Sequence, residues 1–230
     1  MQKLSAQPAT QSTLSRQPFL SALPILSALQ WRYAVHRFSD EQLPANDVEA
    51  LIEATRLSAS AYGLQPYRVL QVDTREIRER LLPHAKGQDK IVYCSHLLVL
   101  AAETEPGDHT VARYMSLLAA ARALTSDVRT GITRHMQSVL AGMTPAERAH
   151  WAREQVFIAL GTLLAAAAGM HIDSCPMTGF DAAGVDQVLG LNAQGLSATA
   201  LCALGRRHPE DDTALHAKVR LPTDAFVQVV

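Results

Sequence analysis

From Val156 to Ile172 the chain reads VFIALGTLLAAAAGMHI, without one Asp, Glu, Lys or Arg. A segment apolar on every side belongs either in a bilayer or in a protein interior. This one falls short of the roughly 20 residues that span a membrane, and Gly161, Thr162 and His171 dilute it. The reading is a helix buried all round, central to the core or to a subunit interface, with no membrane association. A chain of 230 residues that is 48% apolar can bury such a helix in one ordinary domain.

The helix has a start signal. Thr144, Pro145 and Glu147 make a capping arrangement with proline at the first helical position, so the helix should run from about 144 to 169. Upstream, Leu23, Ile25, Leu26 and Leu29 fall on helical spacing with Pro24 in the first turn. Asn46 and Glu49 cap a second helix whose face is Val48, Leu51, Ile52 and Thr55, and Thr74 caps one carrying Ile77 and Leu81. Further helices are expected at about 108–124 and 127–140, and a short one after Asp181.

His96–Ala102 and Ser197–Gly205 are continuous apolar runs with no helical period, the pattern of strands covered on both faces. Val69–Val72 reads as a short strand after the turn at Gly63 and Gln65-Pro66, and the terminal FVQVV as an edge strand. A helical stretch of roughly 60 residues separates two strands, far beyond a crossover helix. No G-x-G-x-x-G follows the first strand, which disfavours a dinucleotide-binding Rossmann domain. The fold class is α+β, a small mixed central sheet wrapped by helices. Residues 1–20, polar from Lys3 through Gln17, read as a disordered leader ahead of one domain over 21–230.

The formal net charge of -1 gives no electrostatic basis for binding nucleic acid or an anionic membrane. Cys94, Cys175 and Cys202 are odd in number, far apart and without a C-x-x-C pair, which fits a reduced cytoplasmic setting. Neither Cys94 nor Cys175 has the context of a thiol nucleophile, and the nine histidines form no H-x-x-x-H array for a metal.

Four separated segments together resemble the FMN-dependent nitroreductase family. Trp31-Arg32-Tyr33-Ala34-Val35-His36-Arg37-Phe38 looks like its opening R-x-S-x-[KR]-x-F motif. Ser58-Ala59-Ser60-Ala61-Tyr62-Gly63-Leu64-Gln65-Pro66-Tyr67 is similar to its S-P-S-x-x-x-x-Q-P-W signature, in the branch that writes Y-G-L-Q-P. Pro176-Met177-Thr178-Gly179-Phe180-Asp181 resembles the P-[IM]-E-G-F-D loop, and Lys218-Val219-Arg220-Leu221-Pro222 the K-x-R-[LF]-P ending. Their order covers the chain from about Leu23 to Val230.

The resemblance implies an intertwined homodimer that binds FMN and passes electrons from NADH or NADPH to a small organic acceptor: a nitroaromatic, a quinone or an activated alkene. It assigns Arg32, Lys218 and Arg220 to the phosphate, where a guanidinium fork binds bidentately. Tyr33 and Ala34 belong to the same opening motif. It sets the backbone of Pro176, Met177, Thr178 and Gly179 against the flavin N5 edge, and Ser58, Ala59, Ser60 and Gln65 at the phosphate or flavin edge. Both groups are expected from the partner subunit. Lys90 and His36 occupy basic positions near the flavin carbonyl that gains negative charge on reduction, and Gln88 stands by the pyrimidine edge. No side chain is expected to act as acid or base, because the cofactor carries the chemistry.

Several positions depart from the family pattern. His36 replaces the usual lysine or arginine, and a histidine, with an ordinary pKa of about 6.5, is only partly charged at neutral pH. Lys90 is therefore expected to carry more of that role. Thr178 replaces a glutamate, Ala34 and Ala61 replace hydroxylated residues, and Gly87-Gln88 stands where an asparagine is common. These changes leave open a same-fold enzyme of different reaction (enone reduction, dehalogenation or flavin fragmentation) and a non-catalytic flavin-binding protein.

Overall fold

The computed structural model describes residues 24–230. The expected leader, the domain start at residue 21 and Leu23 lie outside the described residues. In chain order the elements are α1 (Pro24–Trp31), α2 (Ala45–Arg56), β1 (Tyr67–Val72), α3 (Arg75–Leu81), α4 (Lys90–Tyr93) and β2 (His96–Glu103). They continue with α5 (Asp108–Ala121), α6 (Ser126–Ala141), α7 (Pro145–Gly169), β3 (Asp173–Met177), α8 (Ala182–Leu189), β4 (Leu196–Gly205) and α9 (Thr223–Phe226).

The two apolar runs are the inner strands of one sheet, ordered β1-β2-β4-β3. Strand alternation divides their side chains between two cores. Leu97, Val99 and Ala101 join Leu201 and Ala203 on the face that meets Leu81 of α3 and Val185 of α8. Leu98, Leu100 and Ala102 join Ala200, Cys202 and Leu204 beneath α2 and α7. A register shift between Leu100 and Ala101 inserts an extra residue in β4. As a result Ala198 and Ala200, two positions apart, serve opposite cores. A third cluster, formed by Leu64, Val111, Met115, Leu118, Met136 and Leu140, holds the α5–α6 pair.

The capping box of α7 forms as read. The Glu147 N–H donates to Thr144 Oγ1 at 3.3 Å, and the Thr144 N–H donates to Glu147 Oε2 at 2.7 Å. The helix is not buried all round. Ala152, Val156, Ala159 and Leu163 are sealed in the core, whereas Phe157 and Ile158 are 48% and 47% exposed. Among the described residues no helix is long and apolar enough to cross a membrane.

Four local expectations differ. Every ladder is antiparallel, and the parallel component of the expected mixed sheet is reduced to an isolated bridge between Ala34 and Ser174. β3, unread in the sequence, accommodates Pro176 because it is an edge strand, where a missing N–H costs no ladder bond. α2 starts one residue before Asn46, with Pro44 in the cap position and no side-chain cap bond. Phe226–Val230 forms no strand: the whole tail from His216 to Val230 is exposed and pairs with no sheet edge among the described residues.

Because Leu100 is sealed between β1, β4 and the α7 face, Leu100→Ala should lower the unfolding free energy by about 2–5 kcal/mol. Urea denaturation should register this as a lower midpoint with an unchanged slope.

Candidate functional site

The sheet's interior is apolar, so polar chemistry collects at its β3 edge. There the segment after α1 lies along β3, with the Val35 N–H donating to the Ser174 carbonyl at 3.4 Å. Against this seam the chain forms a hollow of about 510 Å³, lined by Trp31, Arg32, Tyr33, Ala34, Pro176, His216, Lys218 and Arg220 among others. Residues from opposite ends of the sequence, and three cations among them, therefore meet in one place.

The cations crowd each other without a counter-charge. No carboxylate lies within ion-pair distance of Arg32, Lys218 or Arg220 among the described residues. Burial, and then the neighbouring Arg220, push the Arg32 guanidinium below its ordinary pKa, and its buried Nε has no hydrogen-bond acceptor. Burial, Arg32 and Arg220 push Lys218 down as well. Two donors of Lys218 are committed to backbone: its ammonium donates to the Leu29 carbonyl at 2.6 Å and to that of Arg32. Lys218 thus caps the C-terminal end of α1, where free carbonyls favour a cation. Arg220 donates only to its neighbour Val219 and leaves most of its fork free.

His36 and Lys90 line a second hollow of about 390 Å³ with Arg37, Asp89, Tyr93 and His208. Lys90 connects the two, since its Nζ lies 3.6 Å from Sγ of Cys175, the residue before Pro176. The Cys175 thiol is raised by burial, which outweighs Lys90 and Arg32, and so stays protonated. Gln88 donates from Nε2 to the Ala85 carbonyl at 3.0 Å and to that of Gly179 at 3.3 Å, tying the 85–88 turn to the loop after β3. Met177 is buried at the end of β3, while Thr178 and Gly179 are exposed. A Cβ on Gly179 would stand in open space, so glycine leaves the main chain bare to an incoming group.

Pro176 shares its hollow with Arg32 on one chain, which corrects the expectation that a partner subunit supplies this loop. The cause is β3, whose pairing with β4 and bridge to Ala34 carry it there. Ser58, Ala59, Ser60 and Gln65 line neither hollow of their own chain. Their polar groups serve local structure: Ser58 Oγ lies 3.0 Å from Thr162 Oγ1, Ser60 Oγ accepts from the Gln65 N–H at 3.1 Å, and Gln65 Nε2 donates to the Arg56 carbonyl at 2.7 Å. Tyr62 and Gln65 adopt φ of 55° and 43°, left-handed values unusual for residues with side chains.

Asp211 was not singled out by the sequence. Its Oδ2 accepts from the N–H groups of His36 and Arg37 at 2.9 and 3.1 Å, and so fixes the backbone that presents His36. Locally it only caps the 212–215 turn, where its Oδ1 accepts from the Thr213 N–H at 3.1 Å, and its distant partners leave no mark in the sequence. A larger hollow, about 750 Å³, opens beside Arg68, Glu103, His109 and Arg113. There Glu103 pairs with Arg113 at 2.6 Å and lies 4.0 Å from Arg68, a counter-charge of the kind the β3 edge lacks.

A family model described as "Nitroreductase family" matches residues 29–206. The chain belongs to the nitroreductase family. A Staphylococcus saprophyticus protein named as an NAD(P)H nitroreductase is 31% identical over 222 residues, covering 89% of this chain and 95% of that protein. A Bacillus subtilis structure described as a nitroreductase superposes with a TM-score of 0.80 at 20% identity, over 89% of this chain and 98% of that one. An Exiguobacterium sibiricum nitroreductase structure in complex with FMN superposes at 0.79 with 16% identity, over 91% and 98% of the two chains. These likenesses establish the nitroreductase-like α+β fold. The matched range ends at Arg206, ahead of Lys218 and Arg220, whose place in the site rests on the geometry described above.

Burial raises the Asp211 carboxyl, but the Arg37, His36 and Thr213 donors outweigh it and hold the group below the usual aspartate range. A depressed folded pKa stabilises the fold at pH values above the unfolded pKa, and the contribution disappears as pH falls through the folded value. Asp211→Asn should therefore lose about 1–3 kcal/mol at neutral pH. Denaturation from pH 7 downward should show this deficit shrinking below about pH 4.

Proposed function

We propose that this member of the family is an FMN-dependent oxidoreductase taking electrons from NADH or NADPH, and that it works as a homodimer. The observation that carries the reading is the cluster of Arg32, Lys218 and Arg220, a set of like charges with one orphaned buried donor and, among the described residues, no carboxylate within ion-pair distance. A phosphate bearing close to two negative charges fits it, because it relieves the mutual repulsion and accepts from the guanidinium forks. The names of the Staphylococcus and Exiguobacterium relatives supply the nicotinamide donor and the flavin by analogy.

FMN, when bound, supplies the redox chemistry, accepting hydride from a nicotinamide and returning electrons to an acceptor in a ping-pong cycle. The chain's task is to bind and tune. Arg32 and Arg220 hold the phosphate, and Lys218 keeps the α1 end and the Arg32 backbone in place. The bare main chain at Thr178 and Gly179, just beyond the buried Met177, would offer donors to the flavin edge, and Gln88 steadies it through the Gly179 carbonyl. Lys90, with His36 in the same hollow, would set a cation near the ring carbonyls, where it would stabilise the reduced state. The acceptor class is a nitroaromatic, a quinone or a related small molecule. Cytoplasmic residence belongs to the same reading, supported by three free cysteines among the described residues.

Dimerisation is supported by what the single chain leaves uncovered. Ile25 and Leu29 of α1, Phe157 and Ile158 of α7, and Leu221, Phe226, Val227 and Val229 of the tail are all exposed. Exposed apolar side chains grouped on α1, α7 and the tail are what a subunit interface would cover. β1 is an unpaired sheet edge suited to receive the tail of a second copy, a place for the FVQVV strand that finds none on its own chain. The same assembly brings Ser58 and Gln65 of the partner subunit within reach of a hollow their own chain does not place them in.

Three outcomes are expected. Denaturation should release about one FMN per chain, from a species whose sedimentation mass is twice the chain's; a colourless monomer that refuses added flavin sinks the reading. Arg32→Ala should weaken FMN affinity by about ten- to a hundredfold, the worth of one charge-assisted pair, as measured by fluorescence titration. His36→Lys should raise the flavin reduction potential, because a lysine there would add a permanent positive charge beside the carbonyl that becomes negative on reduction. An unchanged potential would assign the tuning to Lys90 alone.

A further inference from the structure

Arg207 does not line the cation-rich hollow, yet it stands directly behind its wall. Its guanidinium is stacked between two aromatic rings, 4.4 Å from the centroid of Trp31 and 4.6 Å from that of Tyr33. These residues are the sequence neighbours of Arg32 on either side. Asp173, buried at the start of β3, holds the other end: Oδ1 accepts from Arg207 Nη2 at 2.6 Å and Nε at 2.9 Å, and Oδ2 accepts from the Arg207 N–H at 2.8 Å. The chain carboxy-terminal to β4 is thus pinned to β3 and gripped by the segment that carries Arg32.

We propose that Arg207 is a positioning residue for phosphate recognition: wedged between Trp31 and Tyr33 and anchored by Asp173, it fixes the backbone from which Arg32 enters the hollow. This rests on the reading that the hollow receives the FMN phosphate. The charge of Arg207 is committed to Asp173 at hydrogen-bond distance, so its effect on an anion is transmitted through geometry, with little direct attraction. A planar fork is needed, because a guanidinium can lie over aromatic rings while its Nε and Nη2 donate in its plane to one carboxylate. The surroundings reinforce the clasp. Ala34 bridges to Ser174 beside Asp173, Phe38 bridges to Arg207, and the Trp31 ring meets the His171 ring edge-on at 5.0 Å. Arg32 itself has no side-chain acceptor for its buried Nε, so nothing but its backbone and packing sets its aim. A site residue aimed in this way is sensitive to small displacements of its support.

The test compares FMN with riboflavin, which has the same ring and no phosphate. Flavin affinities are measured by fluorescence titration of flavin-stripped protein for the wild type, Arg207→Lys, Arg32→Ala and the double variant. Arg207→Lys keeps a cation for Asp173 and so retains the ion pair that holds β3, and thermal denaturation verifies its fold. The expected result is a loss of about tenfold in FMN affinity, with riboflavin affinity unchanged. In the Arg32→Ala background the same substitution should have no further effect, since the contact it positions is gone.

The proposal is overturned if Arg207→Lys leaves the FMN-to-riboflavin preference intact, if it weakens both flavins equally, or if its effect persists without Arg32. The underlying reading fails separately, and is recognised by a wild type that does not prefer FMN or by an Arg32→Ala variant that keeps the preference.

Discussion

Burial of β2 and β4 on both faces is the constraint from which the rest of the architecture follows. A strand covered on two sides has no room for a polar side chain, so Leu97 to Ala102 and Ala200 to Leu204 divide entirely between two apolar cores. Each core needs helices over it, and α2 with α7, and α3 with α8, supply them. The chemistry is thereby displaced to the margins. The β3 edge is the margin where two chain ends also arrive, the segment after α1 and the tail after β4. Its short, proline-bearing strand is well suited to a border: it forms ladder bonds on one side and leaves Pro176 and the following main chain open on the other.

What collects at that border is expensive in isolation. Arg32 is half withdrawn from water, faces Arg220 across the hollow, and has Lys218 at its carbonyl. Like charges gathered without opposing ones cost free energy, most for the partly buried Arg32, and an anion from outside the chain would offset that cost. Several arginines elsewhere have a carboxylate, Glu103 for Arg113, Asp173 for Arg207 and Glu210 for Arg37 at 2.7 Å, while the buried Arg78 is satisfied by the Val72, Cys94 and Ser95 carbonyls. The contrast within one molecule argues that the unpaired cluster is a binding feature. An oxidoreductase built this way needs few reactive side chains, because its work is to hold a charged cofactor in a fixed pose and leave one face open.

The parts legible in the sequence are those governed by neighbours a few residues apart. The α7 start was readable because Thr144, Pro145 and Glu147 carry its whole capping logic within one turn. The inner strands were readable because uninterrupted apolar runs have few alternatives. β3 was not, since Asp173-Ser-Cys-Pro-Met lacks alternation and contains the residue that ordinarily breaks a sheet; its pairing with β4 decides the matter. The motif positions Arg32, Pro176, Lys218 and Arg220 were legible only through family resemblance, and the fold does bring them together. Their supports were invisible. Arg207, Asp211 and Asp173 act on residues 34 to 175 positions away, and no local pattern announces a contact of that range. The subunit assignment of the β3 loop erred for the same reason, because the bridge between Ala34 and Ser174 is a long-range pairing.

The tail ties cofactor and assembly together. Lys218 and Arg220 sit on the same stretch as the exposed Leu221, Phe226 and Val229, with α9 as its only helix. Lys218 is moored to the end of α1 through the Leu29 and Arg32 carbonyls, so the root of the tail is fixed at the hollow while the apolar remainder points away from its own core. In the proposed dimer, docking that remainder on a second copy would hold Arg220 where a phosphate needs it, and a bound phosphate would in turn steady the tail for docking. Anything that binds one state of a linked pair favours the other. Flavin affinity and subunit affinity are then two readings of one free energy, connected through the few residues between Lys218 and Val230.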